Sequence, residues 1–240
     1  MKTPLIAATL ALLSAGAIAG PKEDVLAATT KLAAAPSYTW TTTTSIEGSQ
    51  NAPGVITGKT EKGGFSLVTQ ERGGNTTVAV LKGEQGVLKT DSGWKTAEEL
   101  RASAQAGGGG GGRGAGMRGG QLLRTAAPAA NAAKLAEKAV DLKTADGAIA
   151  GTLPPEAAKE LLAVGRGRPG GQAPEVRNAK GSVKYWLANG SLVKMQVTVS
   201  GTFSGQNGDR DINRTSTHEF KDVGATKVEV PDEAKKKLGT

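Results

Sequence analysis

The feature that most constrains this chain is a run of short, alternating segments cut by glycine. "GVITGKTEKG", "GFSLVTQERGG", "NTTVAVLKG" and "GVLKTDSGW" follow one another between Gly54 and Trp94, with breaks at Gly63-Gly64, Gly73-Gly74 and Gln85-Gly86. Phe65 and Leu67 alternate with Ser66 and Val68, and Val78 and Val80 alternate with Thr77, Ala79 and Leu81. A period of two fits a pleated strand, and glycine supplies the positive φ of tight turns. The series predicts an antiparallel meander. Composition agrees: 35 glycines and only 3% aromatic residues suit turn-rich β structure better than a large helical bundle.

The same pattern flanks the meander. "SYTWTTTTSIEG" carries Tyr38, Trp40, Thr42, Thr44 and Ile46 on one face and threonines on the other. In "KGSVKYWLANGSLVKMQVTVSGTF", Asn189-Gly190 joins two alternating runs, the strongest short hairpin signal. Val193, Met195, Val197, Val199 and Phe203 are expected on one face, and Lys194, Gln196 and Thr198 on the other. After a second turn at Asn207-Gly208, "DRDINRTSTHEFKDV" predicts a long polar strand with Ile212, Arg214, Ser216, His218 and Phe220 sharing a face. "KVEVPDEAKKKL" predicts a last short strand and a helical turn.

Helical signals lie between these runs. "PKEDVLAATTKLAAA" begins with Pro21, has Glu23 and Asp24 in its first turn and is stopped by Pro36. "KTAEELRASAQ" holds a Thr96/Glu99 capping box. Leu135, Ala139 and Leu142 recur at i, i+4, i+7, which predicts a helix from about Asn131. "GAIAGTL" reads as a strand and "PPEAAKELLAV" as a helix. The order predicts an α+β fold: a single curved antiparallel sheet covered on one face by helices. One domain is expected over 20–240, with a Gly-rich loop at 106–121 and a Gly/Pro/Arg loop at 165–175.

Residues 1–19 read as a secretory signal peptide. Lys2 precedes an apolar stretch from about Leu5 to Leu13, and Ala17-Ile18-Ala19 matches the A-x-A cleavage pattern. The stretch is short against the roughly 20 residues that span a bilayer, so no transmembrane segment is expected in the mature chain. The chain has no cysteine. That removes disulfides, thiol catalysis, thiolate metal sites and lipid attachment at cysteine. A periplasmic or secreted bacterial protein follows, resting on its core for stability. The net charge of +8 permits a polyanionic partner, although the Lys and Arg residues are scattered.

Motifs with chemistry mostly fail on context. "GAGMRG" at Gly114–Gly119 satisfies G-x-G-x-x-G, but polyglycine precedes it where a dinucleotide loop needs a strand. "TGKT" at Thr57–Thr60 resembles the end of a P-loop, but Pro53 stands where its glycine belongs. "GGRGAGMRGG" has two arginines and no interleaved aromatics, so no nucleic-acid partner is expected of an exported chain. His218 is the single histidine. Ser216 shares its predicted face, yet i and i+2 in a strand lie about 7 Å apart. Asp209, Asp211, Glu219 and Asp222 do not follow an EF-hand spacing. No enzyme, metal or cofactor is expected. The aromatics predict core packing, with a concave sheet face for an apolar ligand as the functional alternative.

The signal peptide, "SYTWTTTTSIEG", "VLKGEQGVLKTDSGWKTAEEL", "VKYWLANGSLVKMQVTVSGTF" and "TSTHEFKDVGATKVEVPDEA" together resemble the LolA/LolB-like superfamily of bacterial envelope lipoprotein and lipid carriers, including its LppX/LprG-like branch. The resemblance covers most of 37–105 and 180–238. It implies an unclosed half-barrel whose helices cover a concave face that holds acyl chains. Tyr38, Trp40, Ile46, Phe65, Leu67, Trp186, Met195, Val197, Val199 and Phe203 are then the expected lining, and a lipid or acylated protein the partner. Sparse aromatics and the glycine-rich insertion depart from the family pattern. The alternative is a non-catalytic envelope module that holds a protein or polyanion through basic loops or a sheet edge.

Overall fold

A computed structural model of the chain describes residues 20–49, 53–106, 120–125, 127–163, 175–205 and 208–239. The expected signal peptide, most of the glycine-rich loop and nearly all of the second loop lie outside them, as does Asn207 of the expected second turn.

The chain opens with helix α1 (Pro21–Ala34) and strand β1 (Ser37–Ile46). A meander follows: β2 (Val55–Glu61), β3 (Ser66–Arg72), β4 (Asn75–Lys82), β5 (Gln85–Thr90) and β6 (Gly93–Thr96). Helices α2 (Ala97–Ala106) and α3 (Pro128–Lys138) belong to the crossover to a second meander, which starts with β7 (Val140–Ala145) and β8 (Ala148–Leu153). Helix α4 (Pro155–Ala163) precedes the long strands β9 (Glu175–Ala188), β10 (Ser191–Gly205) and β11 (Gly208–Lys221), and α5 (Asp232–Lys237) ends the chain.

The described strands form one 11-stranded antiparallel sheet in the order β6-β5-β4-β3-β2-β1-β11-β10-β9-β8-β7. The sheet is open, with β6 and β7 as its edges. The first meander runs outward from β1 to one edge. The crossover then carries the chain to the other edge, and the second meander returns inward until β11 pairs with β1, Trp40 opposite Phe220. The expected α+β class and open antiparallel sheet are observed.

Local signals explain the elements. Asn189 and Gly190 take φ of 51° and 68°, the type I′ geometry that matches strand twist. The capping box forms at α2: the Glu99 N–H donates to Thr96 Oγ1 at 3.2 Å and the Thr96 N–H to Glu99 Oε2 at 2.9 Å.

Three expectations are corrected. Helix α3 begins at Pro128 and ends at Lys138, and Leu142 sits in β7 rather than on a helical face. The Lys22 ammonium donates to the carbonyls of Ala136, Glu137 and Ala139 at 2.6, 2.9 and 2.6 Å, closing the helix there. Val193 leaves the apolar face because a register shift falls between Leu192 and Lys194; Leu192 is buried and Val193 is 37% exposed. Residues 227–230 form no strand, and the Val228 N–H donates to the Glu61 carboxylate at 2.9 Å instead of to a ladder.

The sheet has an inner face under α1, α3 and α4 and an outer face. The main core lies between the inner face and those helices, and includes Trp40, Tyr185, Met195 and Val199 from the sheet. A smaller cluster lies on the outer face of β4–β6, where Val230, Ala234 and Leu238 pack on Val80, Val87 and Trp94. Helix α4 approaches β9 and β10 closely because Gly181 and Gly201 lie beneath it. A Cβ on either would meet Ala158 or Leu162 at about 3 Å.

Candidate ligand-binding face

Antiparallel register brings residues from distant strands into transverse rows on the inner face. One row runs Gln70, Ile56, Thr42, His218, Met195, Tyr185, Ile149. The next runs Thr44, Ser216, Val197, Val183, and a third Ile46, Arg214, Val199, Gly181, Leu153. Each row is apolar and buried on the β8–β10 side and becomes half-buried around β1 and β11, where all but Ile46 are polar. Directly opposed side chains in such rows are the contact unit of a sheet. The inner face is therefore an apolar floor with a hydroxyl-rich margin.

The roof over that floor is made largely of small side chains. Ala28 of α1, Ala132 and Ala136 of α3, and Ala157 and Ala158 of α4 are buried in the same cluster as the floor, with Val25, Leu32, Leu135 and Leu162 as the larger anchors.

Two tyrosines differ within this core. Burial raises the Tyr38 hydroxyl above its ordinary value, and hydrogen bonds with Ala129 and Thr60 partly offset the rise. Tyr185 is fully buried in the centre of the floor, and its hydroxyl has no hydrogen-bond partner among the described residues. Burial alone pushes that hydroxyl far up. A buried polar atom left unpaired costs about 1–3 kcal/mol.

The margin is knit internally. Thr42 Oγ1 and His218 Nδ1 are 2.8 Å apart, and Thr44 Oγ1 and Ser216 Oγ 3.1 Å apart. The Ser216 hydroxyl thus pairs with a threonine on β1 rather than with His218, and no nucleophile–base bond forms between them. Burial lowers His218 to about 4, so its ring is neutral near pH 7. The Arg214 guanidinium donates to the carbonyl of Leu161 in α4, tying the roof to the margin. Among the described residues no cluster of three or more His, Cys, Asp or Glu is arranged for a metal ion, and no helix is long and apolar enough to cross a membrane.

Of the expected lining, Tyr38, Trp40, Ile46, Met195, Val197, Val199 and Phe203 lie on the inner face. Phe65, Leu67 and Trp186 do not. Leu67 opposes Val80 on the outer face, and both it and Phe65 pack against the C-terminal cluster. Trp186 opposes Lys194 on the outer face. The alternation "VKYW" carried the signal: Lys184 marks the outer face, so Trp186 shares it and Tyr185 joins Val183 inside. Tyr185, Val183, Ile56, Ile149 and Leu153 are among the inner-face residues that the expected lining leaves out.

Away from the inner face, an open depression of about 470 Å³ lies between β6 and α5, lined by Trp94, Glu233, Lys236 and Lys237 among others.

No protein-family profile matches the chain, and no curated protein matches it. Among solved structures the chain is similar to LprF from Mycobacterium bovis, at 10% identity and a TM-score of 0.46, over 89% of this chain and 97% of that one. It is also similar to a LolA superfamily protein from Nitrosomonas europaea, at 9% identity and a TM-score of 0.31, over 89% of this chain and 96% of that one.

Proposed function

We propose that this chain is an exported, non-enzymatic envelope protein that binds an acyl chain, from a lipid or an acylated protein, between the sheet floor and its helical roof. The observation that supports this reading is the pairing of a large apolar floor with an alanine-faced roof. Met195, Val197, Val199 and Phe203 offer a continuous apolar surface. Each alanine above them buries little area, so the roof is held less firmly than a leucine-faced one. Burial contributes about 0.8 kcal/mol per methylene. An acyl chain that lifts the roof and lies on the floor therefore recovers what the displaced alanines lose, and more. The unpaired Tyr185 hydroxyl adds a polar partner for a carboxyl or ester group beneath that roof. Helix α4, tied through Leu161 to Arg214, is the element that moves in this reading.

Native mass spectrometry and lipid extraction of the purified protein test this directly. A bound amphiphile, displaced by a fluorescent fatty acid, is the expected result. Val197→Trp fills the floor and abolishes uptake of the probe. A protein that carries no amphiphile and takes up no probe contradicts the proposal.

A further inference from the structure

The outer face of β7–β10 carries a patch that neither the core nor the inner face explains. Trp186 is half-buried there, above the buried Ala148 of β8. Lys194 lies across it, its Nζ 4.8 Å from the ring centroid, a cation–π contact. Lys184 is two residues from Trp186 on the same strand face, and register places Lys143 of β7 beside Ala150, which opposes Lys184. Lys180 shares that face through its pairing with Ser200. Lys143, Lys180 and Lys184 are exposed. Glu219 stands opposite Lys194, and Asp141 and Asp146 are exposed on β7 and its turn to β8. At the two ends of the patch Val140 and Val193 are exposed at 47% and 37%, two of the four exposed large aliphatic side chains among the described residues.

We infer that the outer face of β7–β10 docks on an anionic lipid bilayer, with Trp186 seated at headgroup level among Lys143, Lys180, Lys184 and Lys194. Two features together choose the occupant. Four lysines gathered on one strand face fit a negative surface. The tryptophan and the two exposed valines fit an interface with an apolar side, which a soluble polyanion lacks. Tryptophan prefers the headgroup zone because its ring is apolar and its N–H is wet. Lysines can lay their stems on the patch and keep their charges at the phosphates. A strand face is broad enough for all of them to meet one plane, and docking there leaves the helical roof on the opposite face free. The inference stands apart from the acyl-chain reading, since it uses no residue of the inner face.

The test is vesicle co-sedimentation of the protein as recovered in soluble form, its N-terminus read by mass spectrometry and the same form used for every variant. Vesicles of mixed phosphatidylglycerol and phosphatidylcholine are compared with vesicles of phosphatidylcholine alone. Binding is expected only to the anionic vesicles and is expected to weaken as salt is raised. Each lysine near such a surface is worth a factor of about five, so Lys184→Glu with Lys194→Glu lowers vesicle affinity by at least about 25-fold. Because Trp40 and Trp94 are buried, brominated phosphatidylcholine mixed into the anionic vesicles quenches chiefly Trp186, and Trp186→Phe removes that quenching. Circular dichroism of each variant checks that the fold is kept. Equal binding by the charge-reversed variant, no binding to anionic vesicles, or heparin binding without quenching of Trp186 each overturns the inference; the last identifies a soluble polyanion instead.

Discussion

The Trp40 indole lies against Gly58 on the neighbouring strand, so closely that a Cβ on Gly58 would overlap the ring. Its Nε1–H donates to Thr60 Oγ1 at 3.0 Å, two residues along β2. This glycine is a close-approach position rather than a turn, and it lets the largest side chain of the core lie across the first meander. Gly58→Ala displaces the indole and costs about 1–3 kcal/mol of stability. The urea midpoint reports the loss. Gly63→Ala, in a turn with open space around it, leaves the Trp40 fluorescence unchanged even though its positive φ carries its own penalty.

Lys22 of α1 holds the end of α3 by its three carbonyl contacts. Lys22→Met keeps the aliphatic stem and removes the charge. It lowers stability by about 1 kcal/mol, and amide exchange at the C-terminal end of α3 and across β7 quickens while that of β10 does not. Uniform acceleration across the sheet would show that the contact is not local.

His218 supplies a pH dependence with a defined sign. Its folded value is about 4 and its ordinary value is 6.5. Above 6.5 both folded and unfolded forms are neutral and the group contributes no slope. Between 6.5 and about 4 the unfolded chain binds the proton and the folded chain does not, so stability falls as pH falls. Allowing for solvent at the half-buried ring, the loss is roughly 1–3 kcal/mol. Below about 4 it levels off. His218→Gln removes this part of the slope, measured as the difference in urea midpoint between variant and parent over that range. Identical slopes would mean that the ring is charged in the folded protein.

The unpaired hydroxyl of Tyr185 separates stability from binding. Tyr185→Phe relieves a buried unsatisfied group and raises stability by about 1 kcal/mol. On the acyl-chain reading the same change weakens fatty-acid uptake several-fold, because the ligand's polar end loses its partner. A destabilised Tyr185→Phe protein would show that the hydroxyl is satisfied in solution.

Much of this architecture is legible in the sequence because its signals are local. Alternation fixed most strand faces, and Asn189-Gly190 and the Thr96/Glu99 box act over two to four residues. What failed depended on partners far along the chain. Leu142 fits a helical period with Leu135, but Lys22 closes the helix before it, from more than a hundred residues away. Val193 follows the alternation of β10, yet the register shift beside Leu192 turns it outward. At the candidate site both faces of the first meander carry apolar alternation. Phe65 and Leu67 alternate as well as any core pair, and only the C-terminal segment, packing on the outer side, makes that side apolar there. Trp186 stands in the expected lining as one of few aromatics, although Lys184 on the same face argues for solvent.

Ala158 of α4 and Gly181 of β9 face one another so closely that a Cβ on the glycine would lie 3.1 Å from that of the alanine. The chain contains no cysteine, so Ala158→Cys with Gly181→Cys introduces a single disulfide that ties roof to floor once the two Cβ atoms part by about half an ångström. Uptake of a fluorescent fatty acid by this variant, compared before and after reduction, tests most directly whether an acyl chain lies beneath α4. Uptake is expected to be lost in the oxidised protein and restored by reduction. Equal uptake in both states, or none in the parent protein, would contradict the account.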